Sequence, residues 1–474
     1  MSRINTNVSS LIAQNALSKN NTALNTSLTR LSTGLKINTG ADDPAGLIAA
    51  NDLKDQQAGI TQALANAQQA NNVIGTAAGG LTEVSSLLTQ LQSLVSQTAN
   101  SGGLSATQVS ANQQQVDTVL QTINRIAGST SFSGKQLLNG NYAYSTSSTG
   151  TSAFASLQVN AALLPENATK AVVVQVTSSA TTGKVTFTEG GANTTQLSAA
   201  VTLQVAGAAG TTQLSFASGT HLSAVANAFN NVKGVTGVSA TVSGAALNIN
   251  STSFGSANYV SVQATAGTFT TTGGVSGKDF GTDAKVTVNG AAATASGKDV
   301  TYRDNNLDVQ FTIADAINTD GATKTFGITG GGATFALGEK VDTTDVASIG
   351  IQSVTTGSLG DVTNGFLSSL ASGGANSLTS GNLVTAQNIL NEAINQVSTL
   401  SGRLGAFQKY TIGSTVNNLS VASENAAASL SNIEDTDFAA ETANLTRAQI
   451  LSQSATTVLA TANSQPQQVL KLLG

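Results

Sequence analysis

Leu17, Leu24 and Leu31 stand seven residues apart, as do Leu28 and Leu35. Together they draw a stripe of four- and three-residue steps, interrupted only by polar Asn21, and predict an amphipathic helix. Residues 445–473 keep the rhythm more strictly: Leu445, Ala448, Ser452, Ala455, Leu459, Ala462, Pro466, Val469 and Leu473. A four–three pattern of this kind is a coiled-coil seam, and its small residues allow close helix approach. Pro466 is expected to kink this helix or to mark a new first turn.

A second helical layer lies inside each end. Residues 44–100 and 105–127 read as helices joined by "NSGGLS", and residues 380–430 read as one long helix with an apolar stripe of Ile389, Ile394, Val397, Leu400 and Leu404. Between them the period changes to two. "AVVVQV", "KVTFTE", "VTLQVAG", "TQLSFAS", "YVSVQAT" and "AKVTVNG" are short, rich in Val and Thr, and punctuated by Gly. One helix, at 221–231, interrupts them. "FSGKQLLNGNYAY" at 132–144 carries Asn139-Gly140, a strong hairpin-turn signal. The predicted class is α+β: a discontinuous long-helix rod of paired, coiled-coil-like N- and C-terminal segments with a β-rich insertion. Its expected division is 1–43 with 431–474 as a terminal domain and 44–165 with 335–430 as a helical rod domain bearing a β-hairpin. The outer insertion is 166–334, in two modules (166–275 and 276–334).

Charge supports pairing of the ends. Residues 1–40 carry Arg3, Lys19, Arg30 and Lys36 and no acid, whereas 431–474 carry Glu434, Asp435, Asp437 and Glu441 against Arg447 and Lys471. Over the whole chain only 9% of residues are charged and the net charge is −5, which argues against nucleic-acid binding, since that needs a basic face. There is no cysteine, so disulfides and thiolate sites are excluded. No apolar run suits a signal-peptide core or a membrane span, so secretion would need a route other than a cleaved signal.

Catalytic chemistry is scarce. The single histidine, His221, rules out any site built on two imidazoles and reads as an N-terminal residue of a short helix. Glu434, Asp435 and Asp437 read as cap and first-turn carboxylates for the C-terminal helix rather than as a cation site. Asp42 and Asp43 lie before Pro44, with no third ligand nearby for a metal. They read as a joint: Gly40 breaks the first helix, Asp43 caps the next, Pro44 takes its first position and Asp42 adds charge near the helix dipole. No cofactor is expected.

Four stretches carry a family resemblance. "LSTGLKINTGADDPAGLIAAN" (31–51), "STSFSGKQLLNG" (129–140), "SGRLGAFQKYTIGSTVNNL" (401–419) and "IEDTDFAAETANLTRAQILSQSATTVLATANSQPQQVLKLLG" (433–474) resemble the terminal signatures of bacterial flagellin, in the same order. Parts of the insertion, at 222–267 and 286–316, resemble outer-domain modules of longer flagellins. The resemblance implies a non-catalytic subunit that self-assembles into the extracellular flagellar filament. It implies export as an unfolded chain through the flagellar type III apparatus. It also implies contacts with an export chaperone, the hook-associated junction proteins and the distal cap protein, and neither nucleic acid nor membrane insertion.

The assembly seam would be Leu17, Leu24, Leu28, Leu31, Leu35, Leu445, Ala455, Leu459, Ala462, Val469 and Leu473. A two-helix terminal domain buries too little to be stable alone. Residues 1–40 and 431–474 are therefore expected to be largely disordered in a free monomer and to fold between subunits. One departure stands out. Where many flagellins read "LQRVRELAVQSAN", a segment recognised by an innate immune receptor, this chain reads "LTQLQSLVSQTAN" (88–100). Gln90 and Gln92 replace arginines and Ser93 an acid, while apolar Leu91 and Leu94 remain, so weak receptor activation is expected. Two other readings stay open: a hook–filament junction protein, and a displayed adhesin or glycan-binding module, which the few aromatics disfavour. Exposed Ser and Thr in the insertion are candidates for O-linked sugars, which an intact mass equal to the bare 47.3 kDa chain would exclude.

Overall fold

The computed structural model describes residues 6–100, 103–147, 153–164, 169–188, 195–304, 306–340, 342 and 345–473. The helical parts of the chain are α1 (Val8–Thr33), α2 (Pro44–Ala99), α3 (Ala106–Ser129), α4 (Leu222–Asn231), α5 (Lys233–Thr236), α6 (Leu383–Ala406), α7 (Gly413–Glu434) and α8 (Phe438–Leu473). The chain forms two compact units. One is Met1–Gln69 with Ala336–Asp345 and Tyr410–Gly474; the other is Ala70–Phe335 with Val346–Lys409. The boundary falls inside α2, not at residue 43 where the sequence suggested a cut. The reason lies in the pattern: buried Ile60, Ala63, Ala67, Ala70, Ile74, Ala77, Leu81, Val84, Leu88, Leu91 and Val95 keep an unbroken three–four step, so nothing interrupts the helix.

In the first unit, α1 packs on α8, and α2 packs on α7 through Ile60, Ala63 and Leu419. The long helix expected over 380–430 is two helices. A π-turn at Phe407–Ile412 separates α6 from α7, inserting an extra residue where the buried face must be re-aimed. Conversely, α8 continues through position 466 as one helix, so Pro466 does not begin a new one.

The second unit holds the strands. A small hairpin pairs β1 (Ser131–Phe132) with β2 (Lys135–Gln136). Its turn is Ser133-Gly134, both at positive φ, not Asn139-Gly140. The latter pair forms a separate bend in which Asn139 Oδ1 accepts from the Asn141 N–H.

The strands that build the larger sheets are β3 (Ser145–Ser147), β4 (Phe154–Ala162), β5 (Lys170–Ser178), β6 (Lys184–Thr188), β7 (Val201–Gly207), β8 (Gly210–Phe216), β9 (Val238–Ser243), β10 (Ala246–Ser251), β11 (Tyr259–Ala266), β12 (Thr271–Thr272), β13 (Lys278–Phe280), β14 (Lys285–Val288), β15 (Ala291–Ser296), β16 (Asp299–Arg303), β17 (Leu307–Ile313) and β18 (Thr323–Gly330); four short strands follow, β19 (Ala333–Ala336), β20 (Val346–Ile349), β21 (Gly360–Asp361) and β22 (Gly365–Phe366). Eight of them form one antiparallel sheet in the order β3-β18-β5-β14-β15-β16-β17-β4. Burial alternates along β5, β14, β16 and β17, as period-two patterning requires. Phe154, Phe311 and Phe326 pack edge to face in the core they share.

Between β5 and β14 the chain leaves this sheet and builds a second module. It has two four-stranded sheets, β12-β6-β10-β9 and β13-β11-β7-β8, and its core gathers Phe187, Leu203, Leu222, Val225, Phe229, Val238, Leu247 and Val260. The modules are therefore nested rather than consecutive. A cut at 275/276 misses this, because β4 and β5 precede the inserted module but pair with strands that follow it.

Candidate assembly interface

The first helix ends at Gly34, not at Gly40. Gly34 has φ +75°, the left-handed conformation a glycine takes without strain, and its N–H bonds the Arg30 carbonyl at 2.9 Å. The next residues form a short bridge to the start of the C-terminal segment. Lys36 donates its N–H to the Glu434 carbonyl at 2.5 Å, and Thr436 donates to the Gly34 carbonyl at 2.9 Å. Gly40 lies in the loop that follows.

Asp42 closes that loop. Its Oδ2 accepts from the Thr39 N–H (2.8 Å), the Thr39 hydroxyl (2.9 Å) and the Asn38 N–H (3.1 Å), and these bonds hold its carboxyl below the usual aspartate range. Asp43 Oδ1 accepts from the Gly46 N–H at 3.0 Å, which caps α2 with Pro44 at its first position. Gly46 was not singled out from sequence. A Cβ there would meet Ile37 Cδ1 and the Asp43 carboxylate at 2.6 Å. The signal was its place three residues after a capping aspartate.

At the other end, Asp437 Oδ1 accepts from the N–H groups of Ala439 (2.9 Å) and Ala440 (3.2 Å) and caps α8. Glu434 and Asp435 do not join it there. Glu434 ends α7, where its buried carboxylate pairs with Lys54 Nζ at 2.5 Å, and Asp435 caps that same helix. Glu441, one turn into α8, is buried against the Ser27 hydroxyl at 2.5 Å, with Arg30 at 3.9 Å.

The helices α1 and α8 run antiparallel. Ser27 meets Glu441, Asn21 meets Ser452 at 2.8 Å, Ser10 meets Asn463 at 2.7 Å, and Asn7 donates to the Ala462 carbonyl at 2.8 Å. On α8 the inward residues are Glu441, Leu445, Ala448, Ser452, Ala455, Leu459 and Ala462; on α1 they are Ser10, Ala13, Leu17, Asn20, Leu24, Ser27 and Leu31. Thus Leu17, Leu24 and Leu31 lie in this intrachain seam and Leu28 does not: it is 47% exposed. Two stripes share those three leucines, and the pair uses the one lined by small Ala13 and Ser27, which permits close approach. Leu35 lies past the helix end, half-buried in the bridge to Asp435. Arg3 and the side chains of Val469, Lys471 and Leu473 lie outside the described residues.

Both helices leave large apolar side chains facing outward: Val8, Leu11, Ile12 and Leu28 on α1, and Phe438, Ile450, Leu451 and Val458 on α8. Elsewhere, Gln90 and Ser93 are exposed on α2, Gln92 and Leu94 are half-buried, and Leu91 is buried. His221 precedes α4, with its ring nitrogen 2.9 Å from the Gln196 amide. Among the described residues no cluster of three metal-ligating side chains forms, and no helix is long and apolar enough to cross a membrane.

Two chain ends that meet in a thin helix pair with apolar outer faces offer surface for contact with other chains. Comparison with known proteins gives the family. The pattern of the bacterial flagellin N-terminal helical region matches residues 4–143 and that of the C-terminal helical region matches 387–473. The flagellin of Salmonella typhimurium is 30% identical over 529 residues, covering 99% of both chains. Polar flagellin B/D of Vibrio parahaemolyticus is 29% identical over 482 residues, again covering 99% of each. This chain belongs to the bacterial flagellin family, the structural subunits of the flagellar filament. Among solved structures, the flagellar cap protein of Escherichia coli is similar at 18% identity with a TM-score of 0.28, covering 46% of this chain and 63% of that one, a likeness too low to add to the assignment.

Proposed function

We propose that the outward apolar faces of α1 and α8 are the surfaces through which copies of this chain join in the filament. The observation that carries this is the contrast across each helix. The intrachain seam is made of Ala, Ser and half-buried Leu, while Ile12, Phe438, Ile450 and Val458 are each more than half exposed. Neighbouring subunits would cover those side chains, so that ordering of the ends is offset by burial between copies. Different surfaces meet head to tail, which generates an open helix rather than a closed ring.

The joint formed by Asp42, Asp43, Pro44 and Asp437 sets the angle at which the terminal pair leaves α2. In this reading the chain does no catalysis and leaves the cell through the flagellar export apparatus with a chaperone, without a cleaved signal. The absence of cysteine suits passage as an unfolded chain. At its ends the filament meets hook-associated junction proteins and the cap. Electron microscopy of purified chain seeded with filament fragments tests the assembly reading: helical filaments are expected, and closed rings or short caps contradict it. The uncharged Gln90–Gln92–Ser93 stretch is proposed to weaken innate-receptor activation, and a reporter-cell response equal to that of the Salmonella protein would refute this.

A further inference from the structure

An open cleft of ≈ 590 Å³ lies between the eight-stranded sheet on one side and residues 352–359 with α6 on the other. We propose that it binds a neutral saccharide.

The floor is the outer face of three adjacent strands. Cross-strand register sets two polar rows on it: Ser156, Thr312 and Asp299, then Gln158, Gln310 and Thr301. The Ser156 and Thr312 hydroxyls lie 2.9 Å apart, Thr312 donates to Asp299 at 2.6 Å, and the Gln310 amide donates to Thr301 at 3.3 Å. The intervening residues Val300 and Phe311 turn the other way, into the sheet's core. The opposite wall sets Gln352, Ser353, Ser358 and Gln396 around Val354, Leu359 and Leu400, which are almost wholly buried. On the rim, the side chain of Gln352 makes no hydrogen bond to any described residue.

This chemistry selects a ligand class. No lysine or arginine lines the cleft, so phosphates, nucleic acid and sulfated or sialylated glycans find no counter-charge. The one carboxylate, Asp299, is already bonded. The floor's backbone groups are used in the ladders between β4, β17 and β16, so an extended peptide cannot add as a strand on that face. What remains is a set of amides and hydroxyls that both donate and accept, on the floor and on the opposite wall. A pyranose presents the complementary set, uncharged hydroxyls that both donate and accept around its edge. The volume lies within the span of small-molecule sites. Because Phe311 faces away, no aromatic platform strengthens a single site. Repetition of the cleft along a filament would supply avidity instead.

The test is saturation-transfer NMR on the full chain as monomer and as filament. The probes are galactose, mannose, N-acetylglucosamine and lactose, set against a heparin-derived disaccharide. At least one neutral sugar is expected to receive transfer and the heparin fragment none. The double variant Gln158→Ala with Gln310→Ala should weaken binding about tenfold, the loss of two modest hydrogen bonds. Gln175→Ala, exposed on β5 of the same sheet, should leave it unchanged. An unchanged far-ultraviolet circular dichroism spectrum of the double variant separates loss of ligand contacts from loss of fold. The proposal is overturned if no neutral sugar receives transfer, if the double variant binds as well as the parent, or if only the acidic probe binds. It is also overturned if the cleft is occupied solely by a neighbouring copy in the filament.

Discussion

The terminal helix pair and the inserted β module use apolar residues in opposite ways. In the module Leu203, Phe229, Leu247 and Ile249 are fully buried, and the outward positions of the strands are mostly polar. In the pair the closed seam mixes Ala and Ser with half-buried Leu and a buried Glu, while Ile12, Phe438, Ile450 and Val458 face outward, each more than half exposed. A module that must be stable by itself fills its core with bulk. A segment that is completed by a neighbour keeps its bulk for that neighbour. The difference is what the proposed assembly through the ends requires, with independent stability in the insertion.

Faults placed in one region at a time separate the two. Replacing buried Ala455 by Glu places a charge in the α1–α8 seam and should abolish polymerisation, measured by light scattering after seeding, with the thermal unfolding of the β modules unchanged. Phe229→Ala does the reverse. It empties the centre of the inserted module's core and should cost about 3–5 kcal/mol of that module's stability by denaturant unfolding, while filaments still form. A polymerisation defect in the second variant or a melting defect in the first would join what the account separates.

Two further changes have smaller effects. Asp43→Ala removes the cap of α2 and should cost about 1 kcal/mol, seen as lower helicity and a raised critical concentration with no effect on the β modules. Acid should act on the modules through Asp283. Hydrogen bonds from the Gly297 N–H, then the Ser256 hydroxyl and N–H, hold its carboxyl below the ordinary value of 3.8. A depressed carboxylate stabilises the fold above its unfolded value and loses that contribution as pH falls through the folded one. The turns at 256 and 297 should therefore hold from neutral pH down to about 4 and loosen below it, as followed by tyrosine near-ultraviolet circular dichroism. Asp283→Asn should flatten that change.

Much of this architecture was legible in the chain. Period four–three against period two separated helix from strand, and the caps Asp43 and Asp437 could be read from their place before apolar runs. What could not be read was which of two overlapping stripes would close. Leu17, Leu24 and Leu31 belong to both, and only the partner's small residues decide for Ala13 and Ser27 over Leu28. The nesting of the modules was hidden for a related reason. Strand pattern gives faces, but pairing of β5 with β14, more than a hundred residues away at Gln175 and Thr287, is a long-range choice that local alternation does not encode. Two glycines, Gly34 and Gly40, both offer α1 a stop, and the backbone bridge to Glu434 and Thr436 selects the first.

If the terminal helices gain their stability between subunits, amide hydrogen exchange on a verified monomer and on filaments, read peptide by peptide, will show it. Fast exchange is expected across α1 and α8 in the monomer, slow exchange there in the filament, and equal protection of β7 and β10 in both. Protection of α1 and α8 in the monomer as strong as that of β10 would contradict it.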